Sequence, residues 1–189
     1  MERRLVACLH ADISGYSRLI SDDVEETVRM LTTYHAVIGG IVESHDGRVI
    51  DVAGDSLLAE FRTVAGAVRC AVEIQQQVGA RNAELPPHRR MEFRVGIDLG
   101  DVLVEGGRIY GDCVIVAARV QEVATPGSVC LAGSAFDHIN GSLPLRFEYL
   151  GERTVKNIQK PLRIYRVDGT WDRSKGIARE VGQESLRFT

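Results

Sequence analysis

Several features are missing from this sequence, and each absence excludes a class of protein. No segment approaches the ~18 uninterrupted apolar residues of a membrane span. The apolar stretch Leu5 to Leu9 is broken by His10 and Asp12 before it reaches the length of a signal-peptide core, so no cleaved leader is read. The formal net charge is −3 and the pI near 6.0, without the positive excess that a phosphate-backbone binder needs, and nucleic acid is not an expected partner. Cys8, Cys70, Cys113 and Cys130 form no CxxC pair and sit mostly among apolar neighbours, the pattern of reduced thiols in a cytoplasmic compartment. Neither HExxH nor a shared histidine spacing points to zinc. GxSxG, a Cys/His arrangement and the GxxxxGK[ST] phosphate loop are absent, as is any repeat of fixed period.

What is present is an ordinary globular composition, 44% hydrophobic and 26% charged over 189 residues, which disfavours wholesale disorder. Residues 1–167 read as one domain and residues 168–189 as a tail or linker in which the periodicity fades.

Leu5 to Asp12 reads as a buried strand ending in the turn ADISGYS. Asp22 and Glu25 have capping-box spacing, and Val24, Val28, Leu31, His35, Ile38 and Val42 then recur as one helical face. In DGRVIDVAGDSLLAEF, two short β runs flank a hairpin at Ala53-Gly54-Asp55. Thr63 is the expected cap of a helix carrying Val64, Ala67, Val68, Ala71, Ile74 and Val78, which ends in ARNAELPPHRR. Residues Met91 to Leu99 alternate strictly between apolar and polar, and Asp101 to Val104 is expected to be the hairpin partner of that strand. A helix follows over YGDCVIVAARVQEVA, then strands at Ser128 to Leu131, Leu145 to Leu150 and Leu162 to Val167. This order predicts an α+β or mixed α/β sheet with its helices on one face.

Two acids stand out by context. Asp12 follows an apolar strand and Asp55 sits at a hairpin; acids at adjacent strand ends can hold a hard divalent cation, or can simply form a turn and a strand-end cap. The turn Ile13, Ser14, Gly15, Tyr16 and Ser17 can present backbone N–H groups to phosphate, or serve as an ordinary strand-to-helix turn. Arg119 lies in the apolar helix VIVAARV and needs an anion, either a structural carboxylate or a bound phosphate. Lys156 reads as a solvated turn lysine or as a phosphate contact.

Taken in order, LHADISGYSRL, GRVIDVAGDSLLAEF, FRVGIDLGDVLVEGGRIYGDCVIVAARV and LGERTVKNIQKPLRIYRV resemble the catalytic domain of class III nucleotidyl cyclases over about residues 5 to 167. The resemblance implies a ferredoxin-like, palm-type mixed sheet with flanking helices. It also implies a head-to-tail dimer with two composite sites, ATP or GTP as substrate, and two Mg²⁺ or Mn²⁺ per site. Asp12 and Asp55 fall on the family's metal-binding acids, Arg119 on its transition-state arginine, Lys156 on its phosphate lysine, and Ile13 to Ser17 on its phosphate turn. In that chemistry the ribose 3′-hydroxyl attacks the α-phosphate in line and pyrophosphate leaves.

The base-reading half departs from the pattern. Where adenylyl cyclases of the family carry lysine, aspartate and a ribose-orienting asparagine, this chain has Asp51, Arg108 and Ile115. Asp51 can accept from guanine N1–H and the 2-amino group while Arg108 donates to O6; alternatively, the two pair with each other across the dimer interface. Three functions follow as expectations. One is an active purine nucleotide cyclase, working as a homodimer. The second is a non-catalytic cyclase-homology module for dimerisation or nucleotide sensing. The third is the metal-supplying half of a heterodimer.

Overall fold

The computed structural model describes residues 1–139, 141–168, 171–172 and 177–178. Strand β1 (Glu2–Ser14) is central, and Val6 to Leu9 are buried in succession because both faces of the sheet are covered there. Gly15 takes a left-handed φ of +72° and opens the short helix α1 (Tyr16–Asp22). Helix α2 (Val24–Ser44) is capped by Asp23, whose side chain accepts the Glu26 N–H at 3.0 Å. The capping pair therefore falls one residue later than Asp22 and Glu25, because Asp22 is already the last residue of α1.

The buried stripe of α2 is Thr27, Leu31, Tyr34, Ile38, Ile41 and Val42. Val24 and Val28, expected inside, are 56% and 46% exposed, and His35 is only partly covered. Two polar anchors set the rotation of the helix: Thr27 Oγ1 donates to the Leu19 carbonyl, and the Tyr34 hydroxyl donates to Asn82 Oδ1.

Strands β2 (Arg48–Ala53) and β3 (Ser56–Phe61) form the expected hairpin, with Ala53 opposite Ser56 and Gly54-Asp55 at the tip. Gly54 has φ +59° at the first central position, where a type II′ turn requires it. Thr63 caps α3 (Val64–Ala83) by accepting the Gly66 N–H. After a 3₁₀ turn at Pro87–Arg89 comes β4 (Glu92–Glu105), a single strand of 14 residues. Asp101 to Val104 is thus the continuation of this strand and not its hairpin partner, because β1 pairs with it along the full length from Glu2↔Val104 to Ser14↔Glu92. The true partner is β5 (Arg108–Tyr110), reached through Gly106 and Gly107 with φ of +58° and +78°.

Helix α4 (Asp112–Val123), β6 (Val129–Ala132), α5 (Gly133–Ile139), β7 (Arg146–Arg153) and β8 (Leu162–Asp168) complete the main unit. Beyond it, two-residue strands β9 (Trp171–Asp172) and β10 (Ile177–Ala178) pair within the expected tail, whose other residues from 169 onward lie outside the described ones. The sheet order is β2-β3-β1-β4-β6-β8-β7, with β5 on β4; the β4–β6 pair is parallel and the rest antiparallel, a mixed sheet as expected.

The expectation of helices on one face needs correction. Strand alternation sends Leu9, Ala11 and Ile13 with Phe93, Val95 and Ile97 into one large apolar cluster that also contains residues of α2, α3 and α5. Val6 and Cys8 join Val102, Cys113 and Ala117 in a separate, smaller cluster under α4, on the other face. Two glycines permit this close approach. A Cβ on Gly96 would come within 2.3 Å of the Ala117 carbonyl and the Gln121 nitrogen, and one on Gly100 within 2.8 Å of Cys113 Cβ. No described helix is long and apolar enough to cross a membrane.

Candidate active site

The chemistry-bearing residues follow from the same alternation. Asp12 lies an even number of positions from Val6 and Cys8, so its side chain leaves β1 on the face covered by α4. Directly opposite in the register stands Arg94 of β4. Its guanidinium forks onto the carboxylate, Nε to Oδ1 and Nη2 to Oδ2, each at 3.1 Å, and the α4 residue Gln121 donates its amide to Oδ1 at 2.6 Å. Burial raises the Asp12 pKa above the ordinary carboxylate range, Arg94 opposes the shift, and the charge of Asp55 adds to it. The two acids assigned to metal binding are therefore close enough to influence each other.

Arg94 and Gln121 were missed by sequence reasoning. The signal for Arg94 was its place in a strictly alternating strand, where it is the polar residue opposite an acid; Gln121 carried no readable signal, since a glutamine on an apolar helix is ordinary.

A hard divalent cation asks for oxygen donors with free lone pairs. An ionised carboxylate has about four acceptor positions, and three of those on Asp12 are taken, leaving one on Oδ2. The Asp55 carboxylate accepts no hydrogen bond among the described residues. The donor set fits a cation shared between two carboxylates, although no cluster of three or more His, Cys, Asp or Glu occurs among the described residues.

A second group of assigned residues surrounds a cavity of about 320 Å³: Asp51 from β2 and Ile115 and Arg119 from α4, with His10 of β1 in its wall. Neither Asp12 nor Asp55 lines it. Burial pulls the His10 pKa down, with the Gln121 amide and two nearby carboxylates opposing.

Arg119 is not deeply buried; its side chain is 22% exposed, and its anion in this structure is Glu122 at 2.6 Å. Its Nε donates to the backbone carbonyl of Lys156 at 3.2 Å, which ties α4 to the loop that carries this lysine. Lys156 itself is exposed, in a loop whose next residue, Asn157, has φ +64°.

The assigned phosphate turn is less loop-like than expected. Ile13 and Ser14 belong to β1, and the Ile13 side chain is buried in the α2/α3 cluster, away from Asp12. Gly15 alone bends the chain, and Tyr16 and Ser17 form the first turn of α1, where backbone N–H groups have no intrahelical acceptor. Arg108 is exposed on β5 and does not line the cavity, and no ion pair joins it to Asp51 among the described residues of one chain.

The arrangement is an α+β domain in which Asp12, held by Arg94 and Gln121, and a cavity lined by Asp51, Ile115 and Arg119 lie on the sheet face covered by α4. Over residues 2–169 the chain matches the family described as the adenylate and guanylate cyclase catalytic domain, and it belongs to that family. It is 39% identical over 181 residues to a putative adenylate cyclase 3 of Rhizobium meliloti, covering 95% of this chain but only 30% of that protein. A crystal structure of an adenylate/guanylate cyclase/hydrolase from Silicibacter pomeroyi is 37% identical, with a TM-score of 0.78 over 88% of this chain and 98% of that one. The adenylyl cyclase CyaB of P. aeruginosa, at 19% identity and a TM-score of 0.78 over 96% of this chain and 98% of its own, shares the fold.

Proposed function

We propose that this domain converts ATP or GTP to the 3′,5′-cyclic monophosphate and pyrophosphate, with Mg²⁺ or Mn²⁺ held by Asp12 and Asp55. What supports the reading is that Asp12, with one acceptor position free on Oδ2, leaves β1 on the sheet face that also bears Arg119, and that the charge of Asp55 at the β2–β3 hairpin tip reaches it. Divalent cations at this position would lower the cost of forming the attacking alkoxide and neutralise the triphosphate.

The chain's own residues supply the rest. Arg94 compensates the Asp12 charge; a divalent cation held on the carboxylate would weaken that pairing and leave the guanidinium for an anion. Arg119 must leave Glu122 to meet a phosphate. Glu122 is 53% exposed, so the pair is worth no more than about 1 kcal/mol and yields readily to a polyphosphate. Lys156, in the loop whose backbone meets Arg119, is the second cation in this reading, and the N–H groups at Tyr16 and Ser17 are neutral donors.

A homodimer is part of the proposal. Asp12 and Asp55 do not line the cavity that carries Asp51, Ile115 and Arg119, so one chain presents two halves that a second copy can complete. Val52, Tyr110 and Ile115, all 45–52% exposed on β2, β5 and α4, are apolar surface for such a partner. Four free, buried cysteines fit a reducing, cytoplasmic setting, and residues 1–167 are taken as the working domain, with 168–189 outside it.

The test is product chromatography after incubation with ATP and, separately, GTP in Mn²⁺ and Mg²⁺. Predominant cyclic GMP means that Asp51 and Arg108 read guanine, whereas cyclic AMP requires another base contact. Neither product from a folded dimer overturns turnover by this chain alone. That result leaves a dimerising or nucleotide-sensing module, or half of a heterodimer whose activity returns on mixing with its partner.

A further inference from the structure

Gln121 lies where the two halves of the site meet. Its side chain is buried, 2% of the residue being exposed, and its amide nitrogen is 2.6 Å from Asp12 Oδ1. An ionised carboxylate only accepts, so the amide must present Nε2 to Asp12, leaving Oε1 as the atom available to the His10 ring in the cavity wall. The helix backbone at this residue is clamped: any Cβ at position 96 would meet Gln121 nitrogen at 2.3 Å and its Cα at 2.8 Å. A rigid seam therefore carries a neutral donor to the same oxygen that Arg94 Nε also reaches.

The two donors respond differently to a cation. Arg94 is repelled by a divalent ion and attracted by a polyphosphate, so its hold on Asp12 weakens as a site fills. Gln121 carries no charge and has no such reason to let go. We infer that Gln121 is a positioning residue: it keeps Oδ1 of Asp12 turned into the seam between β4 and α4, so that Oδ2 faces the cation throughout. This rests on the metal-binding assignment of Asp12 and Asp55 proposed above. Groups that orient a metal-ligating carboxylate typically govern affinity by 10–100-fold.

The test is Mn²⁺ binding by the full chain, followed by electron paramagnetic resonance of free Mn²⁺. A 3′-deoxy nucleoside triphosphate is included, which lacks the attacking hydroxyl and cannot cyclise. Gln121→Met keeps the unbranched shape and removes the donor; Gln121→Glu replaces the donor with an acceptor beside Asp12. Roughly 10-fold weaker Mn²⁺ binding by Gln121→Met, with a melting temperature close to the parent's and a larger fall in kcat than rise in KM, is the expected result. Mn²⁺ affinity within two-fold of the parent in folded Gln121→Met overturns the inference, even if the parent is an active cyclase. Should Gln121→Met not fold, the same comparison is made with Gln121→Glu, whose unaltered Mn²⁺ affinity would likewise overturn it. Weakened binding in a chain that makes no cyclic product upholds the positioning role while turnover fails. A parent that binds no Mn²⁺ overturns both.

Discussion

The two faces of the sheet are built on opposite plans. The face covered by α2, α3 and α5 is a continuous apolar cluster running from Ala7 to Leu143, in which buried polar groups such as Gln75 and Asn82 are spent on backbone carbonyls. The face under α4 divides into two smaller clusters, is notched by Gly96 and Gly100, and gives its remaining places to Asp12, Arg94, His10 and Gln121. One face holds the fold, and that leaves the other free to carry charge. A charged pair survives half-covered there because the Arg94 fork and the Gln121 amide satisfy three of the four acceptor positions on Asp12.

This contrast can be broken in several ways. Asp55→Ala should have the largest effect on function and almost none on folding, since the residue is a partly exposed hairpin tip with Gly54 setting the turn; a loss of roughly 10²–10³-fold in cyclic product, with an unchanged melting temperature, is expected. Retained product formation would remove Asp55 from the metal site. On the opposite face, Phe93→Ala, which deletes a fully buried ring stacked edge-on against Tyr34, should cost about 3–5 kcal/mol in chemical denaturation.

Asp98 sharpens the comparison through pH. It is 5% exposed, accepts from Ser134, and burial pushes its pKa up to about 6 from 3.8. The folded state therefore binds the proton more tightly than the unfolded one. This group's contribution is most favourable below about pH 4 and is lost as pH rises to about 6 and above, by up to ~3 kcal/mol. Denaturation of Asp98→Asn across pH 4–7 should lack that slope; an identical slope in the variant would refute the assignment.

Adding a methyl under α4 should do less to stability than emptying the core but more to the site. Gly96→Ala is expected to cost about 1–3 kcal/mol and to lower Mn²⁺ affinity as well, because the atoms it strikes are the Ala117 carbonyl and the Gln121 backbone. Smallest of all, Asp23→Ala should lose about 1 kcal/mol and leave product formation intact, confirming that the cap of α2 lies at Asp23 and away from the chemistry.

Much of this was legible in the chain. The hairpin with Asp55 at its tip, the Thr63 cap and the long alternating strand each announce themselves locally, through a glycine turn, a capping side chain and a two-residue period. The four family blocks marked Asp12, Asp55 and Arg119. The misreadings have local causes too. Val24 and Val28 fit a helical stripe as well as Thr27 and Tyr34 do, and only the hydrogen bonds to Leu19 and Asn82 decide which stripe turns inward. Asp101 to Val104 was expected as a returning strand, whereas Gly100 lies within one continuous strand and makes room for Cys113. Arg119 needed an anion, either a structural carboxylate or a bound phosphate, and in this structure it has the carboxylate of Glu122, three residues along its own helix.

By itself the sequence determined the kinds of element, their order, the family and the two acids proposed for the site, because periodicity, turn residues and short motifs are properties of neighbouring positions. Only the tertiary structure decided that α4 crosses to the other face, that Arg94 and Gln121 close on Asp12, and that Asp51, Ile115 and Arg119 share a cavity without the acids. These depend on pairings between residues up to 109 positions apart, as Gln121 and Asp12 are. Strand register and the two glycine notches settle such pairings, and no local pattern records them.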